Sequence, residues 1–233
     1  MLILAIDTST KVGAVAIYSE EKGVIAEIIL NCGNNHSENI MNAVDALFKM
    51  SKSSIKDIDK IAVSIGPGSF TGIRIGVGIA KGLAYSLNKP IVGVNTLDII
   101  ANLAGFIDTD MKVISMIDAR KERAYCGIYD NIDGKLQLEK DYFDGEIKEI
   151  LEGYKNNKVL FLGDGAINYK EIISEVMGEK GLFYSRSLSI PRAAILAEIA
   201  SERESDNLIT LEPYYISKSQ AERKEIHEKE YRL

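Results

Sequence analysis

Ser64-Ile-Gly-Pro-Gly-Ser-Phe-Thr-Gly-Ile-Arg-Ile-Gly-Val-Gly-Ile-Ala-Lys-Gly-Leu-Ala84 holds six of the chain's 19 glycines. The apolar run Ile61–Ile65 ahead of it reads as a short buried strand, and Gly66-Pro67-Gly68 as a tight turn. Ser69 or Thr71 then caps a helix that continues to about Leu87. Each glycine inside a helix costs roughly 1 kcal/mol relative to alanine, and Gly72, Gly76, Gly78 and Gly82 all fall inside this one. Something must offset that cost. Gly72, Gly76, Ala80 and Ala84 recur every fourth residue and form a ridge without side chains. Such a ridge lets another backbone come close: the chain's own sheet, a partner helix or a ligand. Ile73, Ile75, Val77, Ile79 and Leu83 leave Arg74 and Lys81 as the charged positions, so more than one face is expected to be covered.

The chain has 233 residues, 46% hydrophobic and 27% charged, which suits one large or two small globular domains. Met1-Leu-Ile-Leu-Ala-Ile-Asp7 lacks a basic leader and a cleavage site and reads as a strand. No stretch approaches the ~20 apolar residues of a membrane span. Cys32 and Cys126 lie in apolar surroundings, which points to reduced thiols and a cytoplasmic protein. A net charge of -6 argues against independent nucleic-acid binding, which needs a basic footprint.

In order, Leu2 to Ile6 forms a strand ending on Asp7, and strands follow at Val12 to Tyr18 and Gly23 to Leu30. A helix starts near His36 and runs to Met50, with Ile40, Ala43, Val44, Leu47 and Phe48 on one face. The Ile61 strand, the glycine helix, the strand Pro90–Val94 and a helix from Thr96 complete one unit. A second unit repeats the order. Val113–Ile117 leads to Asp118, with strands at Arg123–Tyr129 and Lys135–Tyr142 and a helix at Gly145–Tyr154. The strand Val159–Leu162 enters Gly163-Asp-Gly165, a helix spans Asn168–Met177, a short strand Leu182–Tyr184, and a last helix Ile190–Arg203. At one constant offset Ile6 pairs with Ile117, Asp7 with Asp118, Ile17 with Ile128, Tyr18 with Tyr129 and Gly23 with Gly134. At another, Ile65-Gly66-Pro67-Gly68 pairs with Leu162-Gly163-Asp164-Gly165. An internal duplication follows, two βββαβαβα lobes with mixed sheets in the α/β class. Two lobes, each opening on a strand, a terminal Asp and a hairpin, describe the actin-like ATPase (ASKHA) fold. The expected division is 1–105 and 106–204, with 205–233 packing back on the first lobe.

A ligand site between the lobes is the default expectation. Asp7, Thr8, Ser9 and Thr10 form a candidate phosphate turn, mirrored by Asp118, Ala119 and Arg120; Gly66, Gly68, Ser69, Gly163 and Gly165 are further candidate nucleotide or anion contacts. The competing reading is a hairpin start in which Asp7 and Thr8 satisfy local backbone groups. Gly66-Pro67-Gly68 lacks the Lys-Ser/Thr of a P-loop and the third glycine of a dinucleotide fingerprint. His36 and His227 offer no paired metal motif, and no nucleophile–base pair stands out.

Ile3–Thr10, His36-Ser-Glu-Asn39, Gly66–Gly76, Ala80–Ala84, Asp118-Ala-Arg120 and Gly163-Asp-Gly-Ala166 together resemble the TsaB (YeaZ) family over nearly the whole chain. The resemblance implies the actin-like fold and a role in making threonylcarbamoyladenosine in tRNA. There the chain is a non-catalytic partner of the transferase TsaD, with the ATPase TsaE joining, tRNA met only through the complex, and a homodimer in isolation. It implies no tightly bound cofactor, with ATP or ADP and Mg²⁺ entering at the level of the complex. The His-x-x-x-His metal motif of TsaD is replaced here by Asn95-Thr-Leu-Asp-Ile-Ile100, so no metal is expected. The implied partner and dimer face comprises His36, Ile40, Val44, Phe70, Gly72, Ile73, Arg74, Gly76, Val77 and Ala80. The alternative is an active small kinase or ATPase using Asp7 and Asp118.

Overall fold

A computed structural model describes residues 1–31, 39–108 and 110–216. The first sheet comprises β1 (Leu2–Asp7), β2 (Gly13–Ser19), β3 (Gly23–Leu30), β4 (Lys60–Gly66) and β5 (Ile91–Asn95), in the order β3-β2-β1-β4-β5. β1 to β3 form an antiparallel meander, while β4 and β5 join parallel to β1. The central strand Leu-Ile-Leu-Ala-Ile-Asp is apolar almost throughout because both its faces are covered. Ile3 and Ala5 point to one layer, Leu4 and Ile6 to the other.

The second sheet repeats the plan. Its strands are β6 (Met111–Arg120), β7 (Arg123–Ile132), β8 (Lys135–Leu138), β9 (Phe143–Glu146), β10 (Lys158–Leu162) and β11 (Gly181–Phe183). The order is β11-β10-β6-β7-β8, with β9 pairing the other end of β7. β8 and β9 thus share the edge position of β3, where one strand through Tyr142 was expected. The duplicated actin-like fold read from the repeat is present.

One face of the first sheet carries α1 (Ile40–Ser51) and α2 (Phe70–Leu87). α1 buries Ile40, Ala43, Val44, Leu47 and Phe48, the stripe its period-3.6 pattern dictates. One face of the second sheet carries α4 (Ile147–Tyr154) and α6 (Lys170–Met177), preceded by the short α5 (Asp164–Asn168). The expected Asn168–Met177 helix is α6, and α5 is an additional short helix that begins in the expected Gly163-Asp-Gly165 turn and is separated from α6 at Tyr169.

The two remaining helices cross over. α3 (Thr96–Ala101), which follows the first sheet's last strand, buries Leu97, Ile100 and Ala101 against Val113, Ile117, Leu160 and Leu162 of the second sheet. α7 (Ala193–Ser201) buries Ala193, Leu196, Ala197 and Ala200 against Ile3, Ala5, Ala14 and Ala62 of the first. The expected division at 106–204 is corrected accordingly: the last helix of the second repeat completes the first lobe. Lys60 secures it, its Nζ donating to Ala200 O at 3.0 Å and Arg203 O at 2.9 Å.

Beyond α7 the chain returns along the first sheet's edge. Asp206 N donates to Ile91 O at 2.8 Å, Gly93 N to Asp206 Oδ2 at 2.7 Å, and Tyr214 N to Ile65 O at 2.8 Å. Lys81 Nζ, on α2, donates to Ile209 O and Leu211 O at 3.0 Å each.

Candidate functional site

The glycine ridge faces inward. Gly72, Ile73, Gly76, Val77, Ala80 and Ala84 are buried on the sheet side of α2. A Cβ on Gly72 would meet Thr8 O, and one on Gly76 would meet Thr8 Oγ1, both well under the 3.0 Å that real Cβ atoms essentially never cross. The close-approaching backbone that the four-residue rhythm requires is therefore the turn after β1. This corrects the implied interface: Gly72, Ile73, Gly76, Val77 and Ala80, with Ile40 and Val44 of α1, belong to the core. Phe70 and Arg74 stay on the surface, with the Arg74 guanidinium 3.7 Å above the Phe70 ring and its Nε donating to Tyr215 Oη at 2.9 Å. His36 lies outside the described residues.

What the ridge presses on is the first candidate phosphate turn. Asp7, Thr8 and Ser9 are fully buried. Asp7 Oδ1 accepts from Ser9 N at 2.8 Å, Ser9 Oγ at 2.6 Å and Ser64 Oγ at 2.7 Å. Thr8 Oγ1 donates to Gly72 O at 2.7 Å, and Ser69 N to Ser9 O at 2.6 Å. Ser69 Oγ caps α2 by accepting from Gly72 N. The Ser9 and Ser69 amides and the Thr8, Ser9 and Ser64 hydroxyls are thus engaged within the chain, in part by groups distant in sequence. Gly68 is held against Ser9 O, and Gly66, at φ 106°, turns the chain beneath Tyr214.

The mirrored turn is open. Asp118 is half-buried, accepting from Arg120 N at 2.7 Å and Tyr169 Oη at 2.7 Å on Oδ1, and from Asn168 Nδ2 at 2.9 Å on Oδ2. Burial alone would raise its pKa, but these three donors and the nearby Lys11 ammonium outweigh it and hold the carboxyl below the usual range. Burial, together with the Asp118 hydrogen bond, pushes the Tyr169 phenol up to about 12. Asp164, between Gly163 and Gly165, has its carboxyl raised by burial and by the Asp118 charge, although Asp118 N donates to its Oδ1 at 3.0 Å. Arg120, Lys121 and Glu122 all adopt positive φ, between 54° and 68°, which side chains normally avoid.

Between the halves lies a cavity of about 240 Å³, lined by Thr10, Lys11 and Val12, Asn31, Ile100, Asp164, Ile167 and Asn168, and Arg186 with Ser189–Pro191. Of these residues, Thr10 alone was a site candidate from sequence, as the end of the first phosphate turn; Asp164 sat unremarked between two glycines that were candidates. A larger cavity, about 410 Å³, opens between Glu139–Gly145 and Glu149–Tyr154. It is spanned by the chain's own Lys140, whose Nζ sits 4.5 Å from the Phe143 ring centre and 5.7 Å from that of Tyr154. No group of three or more His, Cys, Asp or Glu among the described residues is placed to hold a metal ion. No helix among them is long and apolar enough to cross a membrane.

The family described as "TsaD: tRNA N6-adenosine threonylcarbamoyltransferase" matches residues 14–225. The tRNA threonylcarbamoyladenosine biosynthesis protein TsaB of Bacillus subtilis (strain 168) is 37% identical over 227 residues, 96% of this chain and 97% of that protein. A tRNA N6-adenosine threonylcarbamoyltransferase of Persephonella marina is 30% identical over 113 residues, 42% of this chain and 33% of the longer enzyme. The solved structure of YeaZ from Pseudomonas aeruginosa superimposes with a TM-score of 0.77 at 27% identity, covering 92% of this chain and 99% of that one.

Proposed function

The chain belongs to the TsaB (YeaZ) family and takes part in tRNA threonylcarbamoyladenosine biosynthesis, and we propose that it does so as a non-catalytic partner that docks on TsaD. In this reading TsaE joins the assembly, tRNA and nucleotide are met there, and the isolated chain pairs with a second copy of itself. The observation that carries the reading is the outer face of α2. Gly78 and Gly82 are exposed with nothing within 4 Å of an added Cβ, between exposed Phe70 at one end and Tyr85, 78% exposed, at the other. Glycines that serve no contact inside the chain cost helix stability. A partner helix lying across them offsets that cost, because small residues let two helices approach closely while flanking aromatic side chains anchor the contact. Met41 and Met50 of α1, the other helix on this face of the sheet, are exposed as well. The sealed Asp7 favours this reading over the kinase alternative, since its carboxylate is fully buried and accepts from Ser9 and Ser64 inside the chain.

Gly82→Leu tests it. The variant is expected to fold with an unchanged circular-dichroism spectrum, to elute as a monomer, and to lose co-purification with TsaD. A folded Gly82→Leu chain that still pulls down TsaD and still dimerises sinks the docking face. ATP turnover by the isolated chain would revive the kinase alternative.

A further inference from the structure

The cavity between the halves has a composition that neither a phosphate site nor a docking face accounts for. Two of its lining side chains, Lys11 and Arg186, are exposed cations, set against the single carboxyl of Asp164 in a chain of net charge -6. Lys11 lies near enough to lower the pKa of both Asp118 and Asp164, yet makes no direct ion pair with either. Arg186 has no ion-pair partner among the described residues. The rest of the lining includes Val12, Ile100, Ile167, Ile190 and Pro191, apolar residues from both halves of the chain.

Size and donors favour a ligand smaller than a nucleotide. Pockets for drug-sized ligands run from about 300 to 1,000 Å³, and a dry cavity of about 150 Å³ holds benzene. At about 240 Å³ the space suits a body of roughly ten non-hydrogen atoms. A triphosphate would also need backbone amides from the first turn. Ser9 N is committed to Asp7 Oδ1 and Ser69 N to Ser9 O. A small organic acid needs none of them: two side-chain cations neutralise one carboxylate, and a short hydrocarbon fills the apolar side.

We propose that this cleft, lined by Lys11, Arg186, Val12, Ile100, Ile167 and Ile190, binds a small carboxylic acid with a short apolar body. Because the ligand touches both halves, its occupancy favours the closed arrangement of the lobes over any more open one. The site is independent of the α2 face and stands or falls apart from it.

The test is calorimetric titration of the full chain with isovalerate and with benzoate. The neutral isostere isovaleramide, inorganic phosphate and MgATP serve as comparisons. The expected result is saturable binding of at least one acid and none of isovaleramide. Lys11→Gln and Arg186→Gln should each weaken binding about tenfold and the double variant should abolish it, with melting temperatures unchanged because both side chains are exposed. No binding by either acid, equal binding of isovaleramide, or unchanged affinity in the double variant overturns the proposal. Phosphate binding as tightly as the acids removes the apolar half of the argument and overturns it too. Displacement of the acid by MgATP reassigns the cleft to nucleotide.

Discussion

Asp7 and Asp118 occupy equivalent places, each at the end of the first strand of its half, each followed by an antiparallel hairpin. One is completely buried with its turn clamped beneath α2; the other is half-exposed, hydrogen-bonded by Tyr169 and by Asn168, which lines the cleft. Duplication preserved the backbone path of the fold and not the chemistry of its turns. The glycines made the difference. Gly72 and Gly76 let α2 settle onto Thr8, whereas in the second half the corresponding helix is broken at Tyr169, whose phenol reaches the Asp118 carboxylate.

Forcing the sealed turn apart is the strongest way to break this contrast. Gly72→Ala places a methyl against Thr8 O, a backbone atom that cannot swing aside, and is expected to cost about 3 kcal/mol in urea unfolding. Gly76→Ala meets a side-chain oxygen instead and should cost less, since Thr8 can rotate by giving up its bond to Gly72 O. Asp7→Ala leaves three donors, Ser9 N, Ser9 Oγ and Ser64 Oγ, without their acceptor, and should also cost about 3 kcal/mol. On the open turn, Asp118→Ala should cost about 1 kcal/mol, because water replaces its partners. Equal losses for the two aspartates would erase the distinction between the turns.

Acid titration sharpens the contrast within the open site. Asp118 has a lowered pKa, so its contribution is complete above the ordinary aspartate value of about 4 and is lost as pH falls through its folded value. Asp164 is raised, so its contribution is present below about pH 4 and is lost as pH rises through its folded value. Asp164→Asn, whose Oδ1 can still accept from Asp118 N, is therefore expected to raise the melting temperature at neutral pH and to lose that advantage in acid. A gain that persists unchanged into acid would show that the carboxyl is not strained. The smallest effect has the opposite sign from the first. Gly78→Ala, on the outer face of the same helix, meets nothing and should stabilise the isolated chain by up to about 1 kcal/mol.

Much of the architecture was legible because it rests on local periodicities. Alternating and continuous apolar runs marked most strands, although the strand expected through Tyr142 stops at Leu138 and β9 reaches into the expected Gly145 helix start; the stripe Ile40–Phe48 marked α1, and repeated strand–turn–helix order marked the duplication. The crossover of α3 and α7 was not legible. The apolar run Ala193-Ala-Ile-Leu-Ala-Glu-Ile-Ala says that this helix will be buried, and nothing in it names the sheet that buries it. The same limit applied to the ridge: a four-residue rhythm of Gly72, Gly76, Ala80 and Ala84 requires a close neighbour without identifying it. The strap from Asp206 to Tyr214 carries no periodic signal, since it is held by single hydrogen bonds to Ile65, Gly93 and Lys81 rather than by a repeating face.

The cleft was less legible still. Lys11, Arg186 and Ile190 are ordinary surface or helix-start residues in one dimension, and Asp164 is an ordinary turn aspartate. They converge only because the crossed helices hold the first half's hairpin against the second half's Gly163-Asp-Gly165 turn. Local sequence determined which segments form strands and helices and where a helix must lie against backbone, because backbone propensity, capping and side-chain period act over a few residues. Which backbone that is, which aspartate is sealed and which charges share a cavity were decided by tertiary packing, because those depend on contacts between residues far apart in the chain.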